Sequence, residues 1–318
     1  MKKQFDKNNK ILIIGFGSIG ERHYHNLIKL GYKHLSVYDV NKKNILNNKH
    51  PIFSLNNLKD FDIVFICSPN HIHVKHALIA ARAGCHLFIE KPLSHSMKNI
   101  SQLIKLIKQQ KIIDFVGSNM RFHPCLAFIK KFFTAQKLGQ IYAINHEVGY
   151  YLPYWRPRSD YRQNYAAKKS TGGGIIFDAI HEFDLLFWLN NFSPVKKAQF
   201  IYDKVSDLQI QTEDICVAGF QFKNNIIGSV RCDYLQKSYS RSCKVVGEFG
   251  NLEWDWQENI VWLKTKDKKS KIFQAKKWQI NDMYLAEVKY FLNCVENKKQ
   301  TFNNVKTAKI ILAHCLER

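Results

Sequence analysis

The chain has 318 residues, of which 46% are hydrophobic and 23% are charged, so it can bury a core, and its length favours two domains. The net charge of +22 raises the question of nucleic-acid binding. We expect no nucleic-acid partner, because the lysines are dispersed and match no nucleic-acid module, whereas the same charge would attract an anionic small molecule.

The first predicted element is a buried strand that ends in a glycine-rich turn. Ile11–Ile14 is a continuous apolar run, which is typical of a parallel strand buried on both faces. The turn that follows has the pattern G-x-G-x-x-G and consists of Gly15, Phe16, Gly17, Ser18, Ile19 and Gly20. Such a turn lets a pyrophosphate approach the amides that begin the next helix, which we predict from Ser18 to Leu30.

An acidic residue follows in the second predicted strand, His34–Val40. Asp39 lies about 20 residues beyond Gly20, where a carboxylate binds the ribose hydroxyls of a dinucleotide and repels a 2′-phosphate. We therefore predict a dinucleotide site that takes NAD. NADP stays open as a cofactor, since Lys42 and Lys43 are close in sequence.

Strands and helices alternate over the first 120 residues. Further buried strands are predicted at Phe61–Cys67, His86–Glu90 and Ile112–Val116. The alternation predicts a doubly wound parallel sheet, so we assign residues 1–120 to a Rossmann domain. Ser68, Pro69 and Asn70 follow the third strand, at the edge where open α/β sheets bind ligands, and we expect them to contact the cofactor.

The pattern changes beyond residue 120, and we assign residues 121–318 to a second domain. A helix is predicted around His123–Lys137 and a strand at Ile141–Val148, after which Gly172–Gly174 open an amphipathic helix through Leu189. Short strands broken by turns run from Lys196 to Lys264, and two helices follow. These elements predict an α+β domain with a mostly antiparallel open sheet.

Three side chains are candidates for the chemistry. Lys91 follows a strand directly and precedes Pro92, which places its ammonium beside the cofactor to polarise a substrate oxygen; an ordinary surface lysine is the alternative. His181 has the chemistry to take a proton from an alcohol, and an inert interface histidine is the alternative. Asp178 and Asp184 lie three residues on either side of His181, which predicts one shared helix face.

Aromatic and arginine residues make up an irregular stretch between residues 150 and 162. Aromatic rings stack on sugar-like rings, and arginines bind carboxylates or phosphates through paired hydrogen bonds. We expect substrate contacts from Tyr151, Trp155, Arg156, Arg158, Tyr161 and Arg162. Packing of this stretch on its own domain or on a partner subunit is the alternative.

Together these segments resemble the glucose–fructose oxidoreductase, inositol dehydrogenase and rhizopine catabolism family, Gfo/Idh/MocA. The matching pieces are Gly15–Gly20, Ser68-Pro69-Asn70 with His73, Glu90-Lys91-Pro92, Asn119-x-Arg121-Phe122-His123-Pro124, and Gly172–Gly174 with His181-Glu182-Phe183-Asp184. They keep the order of the family across most of the chain. The resemblance implies a Rossmann domain and an α/β domain whose open sheet often forms dimers or tetramers, so we expect a homodimer or homotetramer.

The resemblance also implies roles for single residues. Lys91 would orient the substrate and His181 would be the acid/base. Many members carry an aspartate four residues before the histidine, where this chain has Phe177, so Asp178 would have to replace it. The matched motifs further imply cofactor contacts from His73 and Glu90, and substrate contacts from Arg121 and His123.

The function that follows is hydride transfer between a nicotinamide cofactor and a secondary alcohol or ketone of a sugar or nucleotide-sugar-like substrate, which we expect to be anionic. Residues 152–162 look like the branch of the family linked to surface-polysaccharide sugars. Two alternatives stay open. One is a lyase or glycosidase that retains its cofactor and uses transient oxidation, and the other is a non-catalytic NAD-sensing or scaffold protein.

The cysteines and the first residues bear on the compartment. Eight cysteines are scattered without a C-x-x-C pair, which predicts reduced, buried thiols and no zinc or other metal site. The basic first ten residues lack an apolar signal-peptide segment, and no apolar run reaches membrane-spanning length. We therefore expect a cytoplasmic protein with no membrane partner.

Overall fold

A computed structural model describes residues 6–45, 50–155 and 160–317. The chain divides into two compact units, of which the first contains Met1–Asn119 with Ile280–Leu316 and the second contains Met120–Gln279. The sequence analysis placed the last two helices in the second domain, whereas in the structure they pack with the first unit. Helical periodicity identifies a helix and its apolar face but does not specify which core buries that face.

A five-stranded sheet forms the centre of the first unit. Its strands are β1 (Ile11–Ile14), β2 (Leu35–Tyr38), β3 (Ile63–Ile66), β4 (His86–Ile89) and β5 (Asp114–Val116). They lie in the order β2-β1-β3-β4-β5 with parallel pairing. Every residue of β1 and β3 is buried, as expected for apolar strands covered on both faces. The predicted doubly wound Rossmann sheet is confirmed.

The described residues also form α-helices in both units. In chain order they are α1 (Ser18–Lys29), α2 (His73–Arg82), α3 (Ile100–Gln110), α4 (Pro124–Thr134), α5 (Leu152–Trp155), α6 (Ile175–Asp178), α7 (Ile180–Leu189), α8 (Ile280–Glu296) and α9 (Val305–Leu316). Phe291 explains why α8 joins the first unit, because its ring lies 5.9 Å from that of Phe65 and 5.6 Å from that of Phe88. Edge-to-face contacts of this kind add to the burial of the rings.

The second unit contains an eight-stranded sheet. Its strands are β6 (Ile141–Gly149), β7 (Val195–Asp203), β8 (Ile215–Phe222), β9 (Ile227–Asp233), β10 (Ser240–Gly247), β11 (Gly250–Asp255), β12 (Ile260–Lys264) and β13 (Lys269–Gln274). They lie in the order β13-β12-β11-β10-β6-β9-β8-β7, and β6 with β9 is the parallel pair in an otherwise antiparallel sheet. The prediction of a mostly antiparallel second sheet is confirmed.

The single amphipathic helix predicted from Gly172–Gly174 to Leu189 is wrong in two respects. Ala179, with φ −88° and ψ 22°, separates α6 from α7, so Asp178 and His181 lie on different helices. In α7 every residue except Trp188 is buried, so the helix has no face that is exposed to solvent. The polar residues that the sequence shows on α7 are instead paired inside the protein, as described below.

Two smaller expectations can be compared with the structure. All eight cysteines are buried free thiols, which confirms the predicted state of the sulfur atoms. Among the helices that the structure describes, none combines the length and apolar character required to cross a bilayer.

Candidate active site

The glycine turn after β1 provides a bare backbone surface. Gly15 has φ +93°, and a Cβ atom there would lie 2.5 Å from the amide nitrogen of Ser68. A Cβ at Gly20 would lie 2.0 Å from the carbonyl oxygen of Gly15. Gly17 differs, because a Cβ there would meet nothing within 4 Å. The first and third glycines are therefore required by packing, whereas the second leaves open space next to the backbone.

The open space lies at the amino end of α1. Gly17 is the N-cap residue of this 12-residue helix and provides no side-chain cap. The first amides of a helix lack intrahelical acceptors and lie at the positive end of the helix dipole, so they favour an anionic group. This cradle fits the pyrophosphate of a dinucleotide, which Gly15–Gly20 were predicted to bind.

Asp39 directly follows β2, as predicted, and its carboxylate already orders the turn. Oδ2 accepts a hydrogen bond from the backbone N–H of Phe16 at 2.7 Å, and Oδ1 accepts one from Asn41 N–H at 2.8 Å. Each carboxylate oxygen has a second lone pair, so the group can still accept hydrogen bonds from ribose hydroxyls. The position and the open acceptor sites of Asp39 therefore fit a bound NAD.

His73 lies between the loops that follow β3 and β4. Its side chain is 1% exposed, with Nδ1 2.8 Å from the carbonyl oxygen of Pro92 and Nε2 2.5 Å from that of Ser68. Burial lowers the pKa of His73 below its usual value. The imidazole thus connects the segment after β3 to the segment after β4, and its expected contact with the cofactor stays a prediction.

Lys91 lies two residues past the end of β4 and is half-buried. The preceding residue, Glu90, is 8% exposed, and its carboxylate lies 2.6 Å from His23 Nε2. Glu90 is therefore engaged within the protein, although it was expected to touch the cofactor. Ser68 and Asn70 are buried and Pro69 is exposed, at the carboxyl end of the neighbouring strand β3.

In the second unit, His181 lies in the first turn of α7. Its exposed fraction is 8%. Two later residues of the same helix form buried ion pairs: Glu182 Oε1 lies 2.7 Å from Arg241 Nε, and Asp184 accepts two hydrogen bonds from Arg121, at 2.8 and 2.6 Å. Burial alone would lower the pKa of Arg241, but the Glu182 carboxylate raises it above its usual value. Both pairs anchor the helix that carries His181.

Arg121 and His123 were expected to contact substrate, and the structure gives them other partners. Arg121 is 4% exposed, and its guanidinium donates to the Asp184 carboxylate. His123 is fully buried, caps α4 by accepting a hydrogen bond from Cys125 N–H, and lies among tryptophan rings. The distances from its ring centroid are 4.8 Å to Trp254, 5.4 Å to Trp256 and 4.5 Å to Trp278. Burial lowers the pKa of His123 to about 4.

Asp178 collects hydrogen bonds from tyrosine hydroxyls. Tyr150 donates to Oδ2 at 2.6 Å, Tyr165 donates to Oδ1 at 2.5 Å, and Tyr234 donates to Oδ2 at 3.3 Å. Burial, followed by the charge of Asp178, raises the pKa values of Tyr150 and Tyr234 well above their usual value, so both remain donors. The carboxylate is held in one orientation by groups that the sequence analysis did not connect with it.

Part of the aromatic stretch adjoins Asp178. The Trp155 ring lies 4.5 Å from that of Tyr150 and is 48% exposed. A recess of about 10 Å³, room for about one water molecule, is lined by Leu152, Trp155, Asn164, Tyr165, Ala166 and Asp178. Trp155 and Asp178 both line this recess, and the exposed part of the Trp155 ring presents an aromatic face of the kind that packs on sugar rings.

The other members of the stretch lie elsewhere or are paired. The ammonium of Lys237 lies over the Tyr151 ring, 3.0 Å from the ring centroid. Arg162 forms an exposed ion pair with Asp160 at 2.7 Å, and the hydroxyl of Tyr161 accepts a hydrogen bond from Gln209 N–H. Arg156 and Arg158 lie outside the described residues.

The sequence analysis missed residues whose partners lie far along the chain. Arg241 pairs with Glu182, the residue after His181, and Tyr165 and Tyr234 donate hydrogen bonds to Asp178. Their partners are up to 59 residues away in the chain, so no local motif marks them. A carboxylate in an otherwise apolar helix is the signal that could have indicated a paired arginine, because a buried carboxylate needs a partner.

The fold and the glycine turn define a class: a protein built on an NAD-binding Rossmann domain. Residues 9–118 match the family model described as oxidoreductase family, NAD-binding Rossmann fold, and residues 126–253 match the GFO/IDH/MocA C-terminal domain. The chain therefore belongs to the Gfo/Idh/MocA family, which confirms the resemblance and the NAD-binding domain inferred from the glycine turn.

Relatives of this chain are named dehydrogenases. It is 25% identical over 309 residues to the myo-inositol 2-dehydrogenase of Thermotoga maritima, a match over 91% of this chain and 88% of that protein. It is 32% identical over 139 residues to the levoglucosan dehydrogenase of Pseudarthrobacter phenanthrenivorans, over 43% of this chain. The match covers 35% of the length of that levoglucosan dehydrogenase. A second match, to an uncharacterised oxidoreductase of Bacillus subtilis, covers 51% of that protein, so this chain spans about a third to a half of the length of these two relatives.

Solved structures agree on the fold. A levoglucosan dehydrogenase in complex with NADH and levoglucosan superimposes with a TM-score of 0.83 at 16% identity, over 97% of this chain and 94% of the other. A myo-inositol 2-dehydrogenase from Lactobacillus plantarum gives a TM-score of 0.80 at 21% identity, over 97% and 95%. At these identities the similarity establishes the two-part architecture alone.

Proposed function

We propose that this protein oxidises a secondary alcohol of a sugar-like or cyclic polyol substrate with NAD, or reduces the corresponding ketone. The observation that carries the proposal is the bare turn Gly15–Gly20 with Asp39 ordered against it, a cradle that suits an adenine dinucleotide. The substrate class is supported by relatives that are named myo-inositol and levoglucosan dehydrogenases.

The chemistry assigned to this chain is proton handling and charge stabilisation. A bound nicotinamide dinucleotide supplies the hydride acceptor or donor. His181 takes the proton from the substrate hydroxyl, and Lys91 stabilises the negative charge that develops on the same oxygen. Reduction uses the same groups with the proton moving in the opposite direction.

Asp178 remains a proposed third participant, with a revised argument. It does not share a helix with His181, but its carboxylate is fixed by tyrosine hydroxyls beside the recess that Trp155 lines. A carboxylate held in one orientation is suited to accept hydrogen bonds from substrate hydroxyls. We also propose that the substrate is anionic, supported by the net charge of +22, and that its sugar belongs to surface-polysaccharide metabolism.

A substrate screen with paired variants tests this proposal. Purified protein is incubated with NAD or NADP and with myo-inositol, levoglucosan, free sugars, sugar acids and nucleotide sugars, and NADH absorbance is followed. Lys91→Met and His181→Gln are expected to lower kcat about 10²–10⁴-fold. Lys75→Met and His25→Gln are the matched controls, since both residues are exposed, and they are expected to keep wild-type turnover.

The outcome also separates the alternatives. NADH that accumulates in proportion to product supports a dehydrogenase. Product without net NADH would instead show a lyase or glycosidase that regenerates its cofactor. NAD binding without turnover of any compound, together with unaltered behaviour of both active-site variants, would point to a sensing or scaffold role and refute the proposal.

The quaternary state belongs to the same proposal. The expected homodimer or homotetramer is supported by the family, in which the open sheet of the second domain often forms the contact between subunits. Sedimentation velocity on the purified protein is the measurement that decides it, and a monomer at micromolar concentration would refute it.

A further inference from the structure

The first unit contains a buried cluster of one imidazole and two carboxylates. His23 lies on α1, Glu90 follows β4, and Glu287 lies on α8. Their exposed fractions are 0%, 8% and 1%, and one ligand-type atom from each lies within 4.8 Å of the others. Three separate elements thus bring ionisable side chains together in a place closed to solvent, next in sequence to Lys91.

Glu90 connects this cluster to the backbone of Lys91. His23 Nε2 lies 2.6 Å from Oε1, and the backbone N–H of Lys91 donates to Oε2 at 3.2 Å. Because an ionised carboxylate only accepts hydrogen bonds, His23 must carry its proton on Nε2. The imidazole and the lysine amide therefore hold the two oxygens of Glu90 from two directions.

The pKa values of the two carboxyl groups are shifted in opposite directions. Burial alone would raise the pKa of Glu90, but the hydrogen bond and charge of His23 lower it below its usual value. Burial, followed by the negative charge of Glu90, raises the pKa of Glu287 well above its usual value. Two adjacent buried carboxyl groups avoid a double negative charge by retaining one proton. The opposite directions of the two pKa shifts favour Glu287 as the group that retains this proton.

The hydrogen bonds of Glu287 agree with a neutral carboxyl. Oε2 accepts one from the backbone N–H of Ser118 at 3.1 Å. Oε1 has no hydrogen-bond partner within the part of the chain that the structure describes. An ionised carboxylate left with one partner in the core would carry a large desolvation cost, and a protonated one avoids it.

Other titratable groups that face the cluster do not reverse this assignment. Burial and the two carboxylates raise the pKa of the Cys67 thiol, so it stays neutral near pH 7, and burial lowers the pKa of His73. The Tyr284 ring lies 6.3 Å from that of His23, and Arg22 lies over the Tyr284 ring at 4.3 Å. Lys91 adds positive charge that favours ionised Glu90.

We propose that His23, Glu90 and Glu287 form a network with one shared carboxyl proton, and that ionised Glu90 is a positioning residue for Lys91. The proposal rests on the proposed function of Lys91. A divalent metal ion held by the same donors fits less well. Ligand atoms around such an ion each lie about 2.0–2.2 Å from it, whereas His23 Nε2 and Glu90 Oε1 make a direct hydrogen bond.

Charge-neutral variants give the functional part of the test. Glu287→Gln mimics the protonated carboxyl, so we expect wild-type kcat, NAD affinity and pH profile. Glu90→Gln removes the negative charge, so we expect kcat to fall at least tenfold with an unchanged Kd for NAD. Glu21→Gln on the exposed face of α1 is the matched control. If Glu90→Gln does not fold, His23→Gln serves as a second variant, with the same expected loss of kcat.

Infrared spectroscopy gives the part that does not depend on turnover. The carbonyl stretch of a buried protonated carboxyl is expected in the wild type and in Glu21→Gln, and it should disappear in Glu287→Gln. An unchanged band in Glu287→Gln, wild-type kcat in Glu90→Gln, or one metal ion per chain that Glu287→Gln loses would each overturn the proposal. A wild-type protein without turnover would refute the proposed function of Lys91, while the band still decides the charge state of Glu287.

Discussion

Gly17 offers a substitution that separates binding from folding. The residue has φ −81°, which alanine adopts without strain, and an added Cβ meets no atom within 4 Å. We therefore expect Gly17→Ala to leave the free energy of unfolding of the ligand-free protein within about 0.5 kcal/mol of wild type. A methyl group at the amino end of α1 would nevertheless occupy the space that we assign to a pyrophosphate.

The expected size of the effect follows from ligand linkage. At an NAD concentration of about 100 times Kd, binding stabilises the wild type by about 2.7 kcal/mol. A tenfold weaker Kd in Gly17→Ala leaves about 1.4 kcal/mol at the same concentration, so the rise in Tm on adding NAD is roughly halved. Calorimetric titration and thermal unfolding with and without NAD measure both quantities.

The control and the refuting result are equally definite. Gly219→Ala in β8 also meets nothing within 4 Å, and it should leave NAD affinity unchanged. If Gly17→Ala binds NAD as tightly as the wild type, the dinucleotide does not lie against this turn. The assignment of Gly15–Gly20 as the phosphate cradle would then be withdrawn.

Two further predictions concern buried charge in the second unit. Arg121→Met leaves Asp184 buried without its partner, so we expect chemical denaturation to show a free energy of unfolding lower by about 3–5 kcal/mol. The double variant Arg121→Met/Asp184→Leu should recover most of this loss. Unchanged stability of Arg121→Met with a raised KM would instead indicate that Arg121 binds substrate. Burial lowers the pKa of His146 to about 3, so the unfolded chain takes up the proton first and stability falls as pH decreases from about 6.5 towards 3. His146→Leu should flatten that dependence by up to about 1.4 kcal/mol per pH unit, and an unchanged slope would contradict the neutral buried state.

Local sequence patterns predicted the strand, the turn and the helix that carry the proposed cofactor site. The apolar strand β1, the glycine turn and the helix α1 are contiguous in the chain, and each glycine is explained by a contact or a space within that segment and its neighbour at Ser68. Asp39 follows from the regular length of the strand–helix–strand unit. Such short-range features can be inferred without knowing how distant segments pack.

The second half depended on long-range pairing, and there the sequence was a weaker guide. Arg121 was expected at the substrate because of the motif that it belongs to, and its ion pair with Asp184, 63 residues away, could not be read from that motif. Asp178 seemed to share a helix face with His181 until Ala179 interrupted the helix. Motif spacing gives the identity of such residues, but only packing shows which of their atoms are already engaged.

The scarcity of acidic residues makes their positions informative in this chain. With 48 lysines and arginines against 26 aspartates and glutamates, a single lysine is weak support for any site. Buried carboxylates need partners, since an unpaired one costs several kcal/mol. Glu90, Glu182 and Asp184 meet this need through His23, Arg241 and Arg121. Each pair fixes an element next to a proposed catalytic residue, because Glu90 precedes Lys91 while Glu182 and Asp184 follow His181 on α7. The acidic residues of this basic protein thus locate its proposed chemistry more sharply than the basic ones do.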